Sequence, residues 1–150
     1  MRTKYIGFKN NYNTGAMKYN GIIEAKLRTI EEKLSEIESW QIISYQQLQM
    51  NSMLRNATER ALQVAIEAVI DVCEHILALE GISALETSAN VVKKVIEMGI
   101  ITNNPEYSEM IRFRNFIVHR YEKIDLGIIY AIVSKKLSVF KNFIHEIRNS

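Results

Sequence analysis

Apolar residues recur at steps of three and four along most of this chain, and this spacing constrains the fold more than any other feature. In the segment that follows Asn20, the apolar positions include Ile23, Leu27, Ile30, Leu34 and Ile37. Such a period places the side chains on one face of an α-helix. The 150 residues include only six Gly and one Pro, so little interrupts long helices. No alternating strand pattern of comparable length competes, and the sequence therefore predicts an all-α fold.

Capping residues divide this helical pattern into elements. A helix is predicted from about residue 22 to 37, and a longer one from 44 to 79 with a break near residues 51–56. Thr87 or Ser88 can cap a third helix that ends near Gly99. Asn104 and Pro105 are suited to the cap and first position of a fourth, and Asp125 can cap a last helix over about 126–148. The sum is an antiparallel bundle of four or five helices.

The length is that of one domain, which we assign to residues 19–150, preceded by a flexible arm at residues 1–18. The single cysteine, Cys73, has no partner for an internal disulfide, which favours a reducing cytoplasm. No apolar run approaches the roughly 18 residues that cross a bilayer, and the first residues lack the apolar core of a signal peptide. We therefore expect a cytoplasmic protein with no membrane contact.

The net charge of +2 is too small to indicate nucleic-acid binding by itself. Basic residues are nevertheless concentrated between residues 112 and 123, a stretch that contains four Lys or Arg residues and one Glu. That stretch contains the segment RNFIVHRY, which runs from Arg114 to Tyr121. It is the part of the sequence most suggestive of chemistry.

This segment closely resembles the signature of the HepT toxins of the HEPN superfamily, which is an Arg, four residues, a His, one residue and a Tyr. The matching residues here are Arg114, His119 and Tyr121. The segment ERALQVAIEAVIDVCEHIL resembles the long second helix of that family, and VIEMGIITNNPEYSEMIRFRN resembles the approach to the motif. The resemblance covers roughly residues 20–148. The three motif residues alone are a weak pattern, and the order of the surrounding elements makes it specific.

The resemblance implies a toxin that cleaves RNA without a metal ion or cofactor, by attack of the ribose 2′-hydroxyl on the adjacent phosphate. His119 would act as the general base or acid, and Arg114 would stabilise the charge on the phosphate. Asn115 could orient the ribose or a phosphate oxygen, and Arg112 and Arg120 are further candidates to contact RNA.

The spacing of the motif raises a geometric difficulty. On an ideal helix, five residues place Arg114 and His119 about 140° apart. A long Arg side chain, a break near His119, or a second subunit could bring the two groups together. HEPN proteins resemble the last case, so a twofold homodimer is expected. Arg112 lies on nearly the same face as His119 and remains open as a substitute for Arg114, which we favour because Asn115 follows it.

Tyr121 has two interpretations. In HepT toxins the tyrosine at this position receives AMP from a partner nucleotidyltransferase antitoxin, MntA, and the resemblance implies the same modification here. An added phosphate and adenosine beside His119 would repel RNA and fill its site. The alternative is a core residue four positions after Ile117, and the two interpretations weigh nearly equally.

Other candidate residues carry weaker signals. Glu67, Asp71 and His75 follow one another at four-residue steps, but ligands spread over roughly 12 Å cannot share one ion, so we interpret them as a solvated face. Cys73 is interpreted as a small buried apolar residue. Two rival functions remain open. One is a non-catalytic HEPN subunit that binds nucleotide or RNA and regulates a nucleotidyltransferase, and the other is a helical adaptor.

Overall fold

The structure is a computed structural model, which describes residues 19, 21–82, 85, 87–118 and 125–150. All regular elements within these ranges are helical, which confirms the all-α prediction. The arm predicted at residues 1–18 lies outside the described residues. The elements are α1 (Gly21–Ser39), α2 (Tyr45–Met50), α3 (Ser52–Leu79), α4 (Ser88–Glu97), α5 (Pro105–Val118), α6 (Leu126–Ala131), a π-helical turn (Ile132–Lys136) and α7 (Leu137–Asn149).

The break predicted near residues 51–56 is confirmed at Asn51, which separates α2 from α3. The Asn51 side chain accepts a hydrogen bond from the Leu54 amide at 3.0 Å and so caps α3. At the start of α2, the Ser44 hydroxyl accepts from the Gln47 amide, and the Gln47 side chain accepts from the Ser44 amide at 2.9 Å. This reciprocal pair is a capping box, which fixes where α2 begins.

The predicted starts of three further helices are confirmed by the same chemistry. Thr87 accepts from the Asn90 amide at 3.1 Å, Asn104 accepts from the Glu106 amide at 2.9 Å, and Asp125 accepts from the Gly127 amide at 2.7 Å. Gly99 follows α4 with a φ of +74°, a left-handed conformation that glycine adopts without strain. Each cap satisfies an amide that the helix itself leaves unpaired.

The core lies between α1, α3, α4, α5 and α7. Helix α1 packs along α3 more extensively than any other pair of described helices, and the predicted apolar stripe of α1 is buried against α3. The amphipathic last stretch is helical as predicted, with a π-helical turn that the sequence did not indicate. Within that turn the Ser134 hydroxyl donates to the Tyr130 carbonyl at 2.7 Å. No described helix is long and apolar enough to span a membrane.

Polar contacts between distant parts of the chain hold the bundle together at its C-terminal helix. The Arg148 guanidinium donates to Glu24 at 2.5 Å and to Glu31 at 2.9 Å, which joins α7 to α1. Glu146 accepts from the Tyr107 hydroxyl and, at 2.7 Å, from the Thr102 amide. The two contacts of Glu146 anchor the start of α5 on α7. Helix α5 carries the first residues of the motif.

Candidate functional site

Helix α5 presents three of the predicted site residues, Arg112, Arg114 and Asn115. The other three, His119, Arg120 and Tyr121, lie outside the described residues, and their roles remain predictions. Pro105 and the Asn104 cap start the helix, and buried side chains at Tyr107, Met110, Ile111, Phe113 and Ile117 hold it against the core. The backbone that leads into the motif is therefore fixed by packing.

Arg114 lies half-buried at the contact between α5 and α3. Its Nε atom is 3.9 Å from Oε2 of Glu67 on α3, and its Nη1 atom donates to Oδ1 of Asn115 at 3.1 Å. The same carboxylate oxygen of Glu67 accepts from the Gln63 side-chain amide at 3.5 Å. Glu67 is thus shared between a neighbour on its own helix and the motif arginine. The structure brings Arg114 and Asn115 into direct contact, and their predicted roles in RNA cleavage remain predictions.

The hydrogen bonds of Arg114 are incomplete. Its Nε atom is buried and donates no hydrogen bond to any residue that the structure describes, because the Glu67 oxygen at 3.9 Å is beyond hydrogen-bonding distance. A guanidinium has five N–H donors, and Asn115 receives one of them within the described part of the chain. The remaining donors can serve an anion, and a planar guanidinium suits the oxygens of a phosphate.

Arg112 occupies a different side of α5. Its side chain is exposed and lines a cavity together with Phe116, one helical turn further along. Arg114 instead faces α3, where it meets Glu67. The two arginines therefore do not converge on one point of the described surface. Arg114 is the one whose position is fixed by neighbouring side chains.

The polar stripe on α3 is partly exposed, as the sequence predicted, and two of its carboxylates also form ion pairs. Glu67 pairs with Arg114, and Asp71 pairs with Lys26 of α1 at 3.1 Å. Both carboxylates thus reach cations on other helices. Within the described ranges, no group of three side chains has the arrangement of a metal site. Sequence reasoning missed Glu67 as a neighbour of the motif, and its only signal was an acidic residue on the polar stripe of a long helix.

Cys73, also on α3, is completely buried among apolar residues. Burial raises the pKa of its thiol, and the nearby Glu74 carboxylate raises it further. A thiol of this kind remains protonated at neutral pH, so it is unsuited to act as a nucleophile. The structure thus agrees with the interpretation of Cys73 as a small apolar residue.

Known proteins share this sequence pattern and fold. The family described as "Ribonuclease HepT-like" matches residues 30–147. The chain is 26% identical over 132 residues to the "mRNA nuclease HepT" of Shewanella oneidensis, covering 86% of this chain and 98% of that protein. It is also 26% identical over 132 residues to the "tRNA nuclease HepT" of Aphanizomenon flos-aquae, covering 85% of this chain and 88% of that protein.

A solved structure matches the fold over a similar length. It is that of a tri-AMPylated HEPN toxin from Shewanella oneidensis in complex with an MNT antitoxin, with a TM-score of 0.79 and 26% identity over 87% of this chain and 99% of that one. The chain thus has the helical-bundle fold of HEPN proteins. It belongs to the HepT-like ribonuclease family, which confirms both the family and the enzyme class predicted from the sequence.

Proposed function

We propose that this chain is the toxin of a toxin–antitoxin pair and an endoribonuclease that needs no metal ion, with Arg114 and His119 as its catalytic residues. The observation that carries the proposal is the placement of Arg114. It is half-buried between α5 and α3, pairs with Glu67, and retains guanidinium donors that no described side chain accepts. His119 follows five residues later in a chain of a ribonuclease family. The catalytic domain spans residues 19–150.

In the proposed reaction the ribose 2′-hydroxyl attacks the adjacent phosphorus, and the bond from phosphorus to the 5′-oxygen of the next nucleotide breaks. One proton leaves the 2′-hydroxyl and one reaches the departing 5′-oxygen, so His119 serves as base or acid. The Arg114 guanidinium stabilises the negative charge that builds on the phosphate oxygens. Asn115 holds Arg114 through its side-chain oxygen and has an amide left for the ribose or phosphate. The products are a 2′,3′-cyclic phosphate and a 5′-hydroxyl.

The active form is a twofold homodimer in the cytoplasm. On one straight helix Arg114 and His119 point about 140° apart, whereas two copies can contribute groups to a shared groove. RNA, either tRNA or mRNA, lies in that groove, and Arg120 contributes a further positive charge at its wall. The names of the two relatives, one an mRNA nuclease and one a tRNA nuclease, support RNA as the substrate class.

A nucleotidyltransferase antitoxin of the MntA type silences the toxin by attaching AMP to Tyr121. The similar Shewanella oneidensis toxin is described as tri-AMPylated and in complex with an MNT antitoxin, which supports this part of the proposal. The modification adds a phosphate and an adenosine two residues from His119. Negative charge at that place repels RNA, and the adenosine occupies its space.

Expression in bacteria tests the nuclease proposal. We expect growth arrest and RNA breakdown with the natural sequence, and normal growth with His119→Ala or Arg114→Ala. A matched control is His145→Ala, because His145 is an exposed histidine of α7 whose ring contacts Asn149 of the same helix. Equal growth of all four strains at equal protein levels contradicts the proposal and favours a non-catalytic HEPN subunit.

Co-expression with an MNT-type nucleotidyltransferase tests the silencing. We expect growth to recover and intact-mass spectrometry to show added AMP on the natural sequence. Tyr121→Phe should stay unmodified and toxic in the presence of the partner. Modification of Tyr121→Phe at the same level contradicts the assignment of the acceptor.

A further inference from the structure

A cavity of ≈ 380 Å³ opens beside α5, on the side that carries Arg112. Its walls come from α3, α5, α6, the π-helical turn and α7. They are mostly apolar and partly aromatic, with contributions from Ile66, Phe113, Phe116, Ile128 and Phe140. A volume of this size falls within the range of small-molecule pockets, about 300–1,000 Å³. The cavity can therefore receive an apolar group of small size.

Two large apolar side chains at this cavity are open to solvent. Phe116 of α5 is 49% exposed and Ile128 of α6 is 41% exposed. Phe116 precedes His119 by three residues, so their Cα atoms lie at most about 11 Å apart. The open part of the cavity thus lies close to the motif along the chain. An exposed aromatic ring beside a phosphate-cleaving site is a surface on which a nucleobase can stack.

The charged side chains at the cavity differ in their pairing. Lys136 lies 3.4 Å from Glu109 and 3.9 Å from Glu106, so these three groups largely compensate one another. Arg112 also lines the cavity, and no carboxylate of the described residues is within 4.0 Å of its guanidinium. Arg112 is one turn from Phe116 on α5. A cation with no carboxylate partner among the described residues, next to an apolar cavity, matches a nucleotide, which carries its anionic phosphate beside an aromatic base.

We propose that this cavity binds one unpaired nucleobase of the RNA, next to the phosphodiester that is cut, while Arg112 contacts a flanking phosphate. The proposal rests on the ribonuclease function above and adds to it a requirement for single-stranded RNA. It also divides the work of the two arginines. Arg114 serves the scissile phosphate, and Arg112 serves substrate binding from the cavity side of α5.

The test combines two changes: removal of one base from the RNA and filling of the cavity in the protein. Ala131 lines the cavity, and Ala131→Met places extra atoms in it. Ser138→Met is the control, because Ser138 is exposed on α7 and does not line this cavity. The probe is a short, fluorescein-labelled single-stranded RNA of mixed sequence, with a set of versions that each lack one base. His119→Ala serves as the background, so that the RNA stays intact during measurements of binding by fluorescence anisotropy.

We expect loss of one particular base to weaken binding by about tenfold in the His119→Ala background, in keeping with the effect of removing a single stacking contact. Ala131→Met should weaken binding of the complete RNA by a similar factor and leave binding of that base-less RNA unchanged. Ser138→Met should behave as the background does. Should Ala131→Met lower the thermal stability, Phe116→Ala provides the same comparison, because it removes the exposed ring without filling the cavity.

Three results overturn the proposal. One is equal binding of all base-less RNAs, and another is a full additional loss when base removal and Ala131→Met are combined. The third is a change of molecular mass in light scattering with either cavity variant, which means that a second copy covers the cavity. Failure of the proposed ribonuclease function is distinguishable from failure of the base-binding proposal. If the ribonuclease function is wrong, the natural sequence cuts no RNA, whatever the anisotropy measurements show.

Discussion

A Glu67→Gln substitution separates two effects, that of Arg114 orientation on RNA cleavage and that of the local charge on RNA binding. Glu67 is on α3, and its carboxylate lies 3.9 Å from Nε of the motif arginine. Glutamine keeps the size of the side chain and removes its negative charge. We expect the guanidinium to lose part of its fixed orientation while the site becomes more positive. Cleavage should therefore slow, and RNA binding should not weaken.

The size of the effect follows from the distance and the exposure of the pair. Two unit charges 3.9 Å apart attract by about 4 kcal/mol at an effective dielectric constant near 20 and by about 1 kcal/mol in water. The side chains are 26% and 37% exposed, so solvent screens much of this attraction. Partly exposed pairs of this kind contribute about 0.5–1 kcal/mol, which corresponds to a two- to fivefold change in rate. Loss of Arg114 itself should cost on the order of a hundredfold or more.

The assay is single-turnover cleavage of a labelled RNA at saturating protein, combined with anisotropy measurements of affinity in the His119→Ala background. Asp71→Asn is the matched control, because Asp71 lies one turn further along α3 and pairs with Lys26 instead of Arg114. We expect Glu67→Gln to cut two- to fivefold more slowly with equal or tighter binding, and Asp71→Asn to cut at the natural rate. Weaker binding with an unchanged rate at saturation refutes the positioning role of Glu67.

Three further predictions concern the scaffold. Arg148→Met should destabilise the fold by about 2 kcal/mol in urea unfolding, because it leaves the Glu24 carboxylate, 7% exposed, without its closest cation; an unchanged midpoint contradicts this reading of the contact. Tyr107→Phe should cost about 1 kcal/mol in the same assay, since it removes the hydroxyl that donates to Glu146. Cys73 should resist iodoacetamide in the folded protein at pH 7–8 and react fully in denaturant, because burial raises its pKa and keeps it protonated; rapid alkylation under native conditions argues against that burial.

The helices and their boundaries were predictable because the signals are local. Asn51, Thr87 and Asp125 each cap a helix through an amide two or three residues away, and nothing distant decides those bonds. The apolar period likewise reports which face of each helix is buried. Such features depend on residues that are close to one another in the sequence.

The contacts that shape the site were not predictable in this way. Glu67 and Arg114 are 47 residues apart in sequence, and only the packing of α3 on α5 brings them together. The π-helical turn at Ile132–Lys136 also escaped prediction, because the surrounding apolar residues keep a helical spacing on both sides of it. The cavity beside Phe116 depends on five elements at once. The motif itself was found through its family resemblance, since its residues alone form a weak pattern.

The chemistry of the cleaved RNA ends tests the central proposal most directly. Purified protein is incubated with RNA in excess EDTA, and the products are identified by mass spectrometry, with Arg114→Ala and His119→Ala in parallel. We expect 2′,3′-cyclic phosphate and 5′-hydroxyl ends from the natural sequence, and intact RNA from both variants. Cleavage that stops in EDTA and returns with a divalent metal ion, or that persists in both variants, contradicts a reaction carried out by an imidazole and a guanidinium alone.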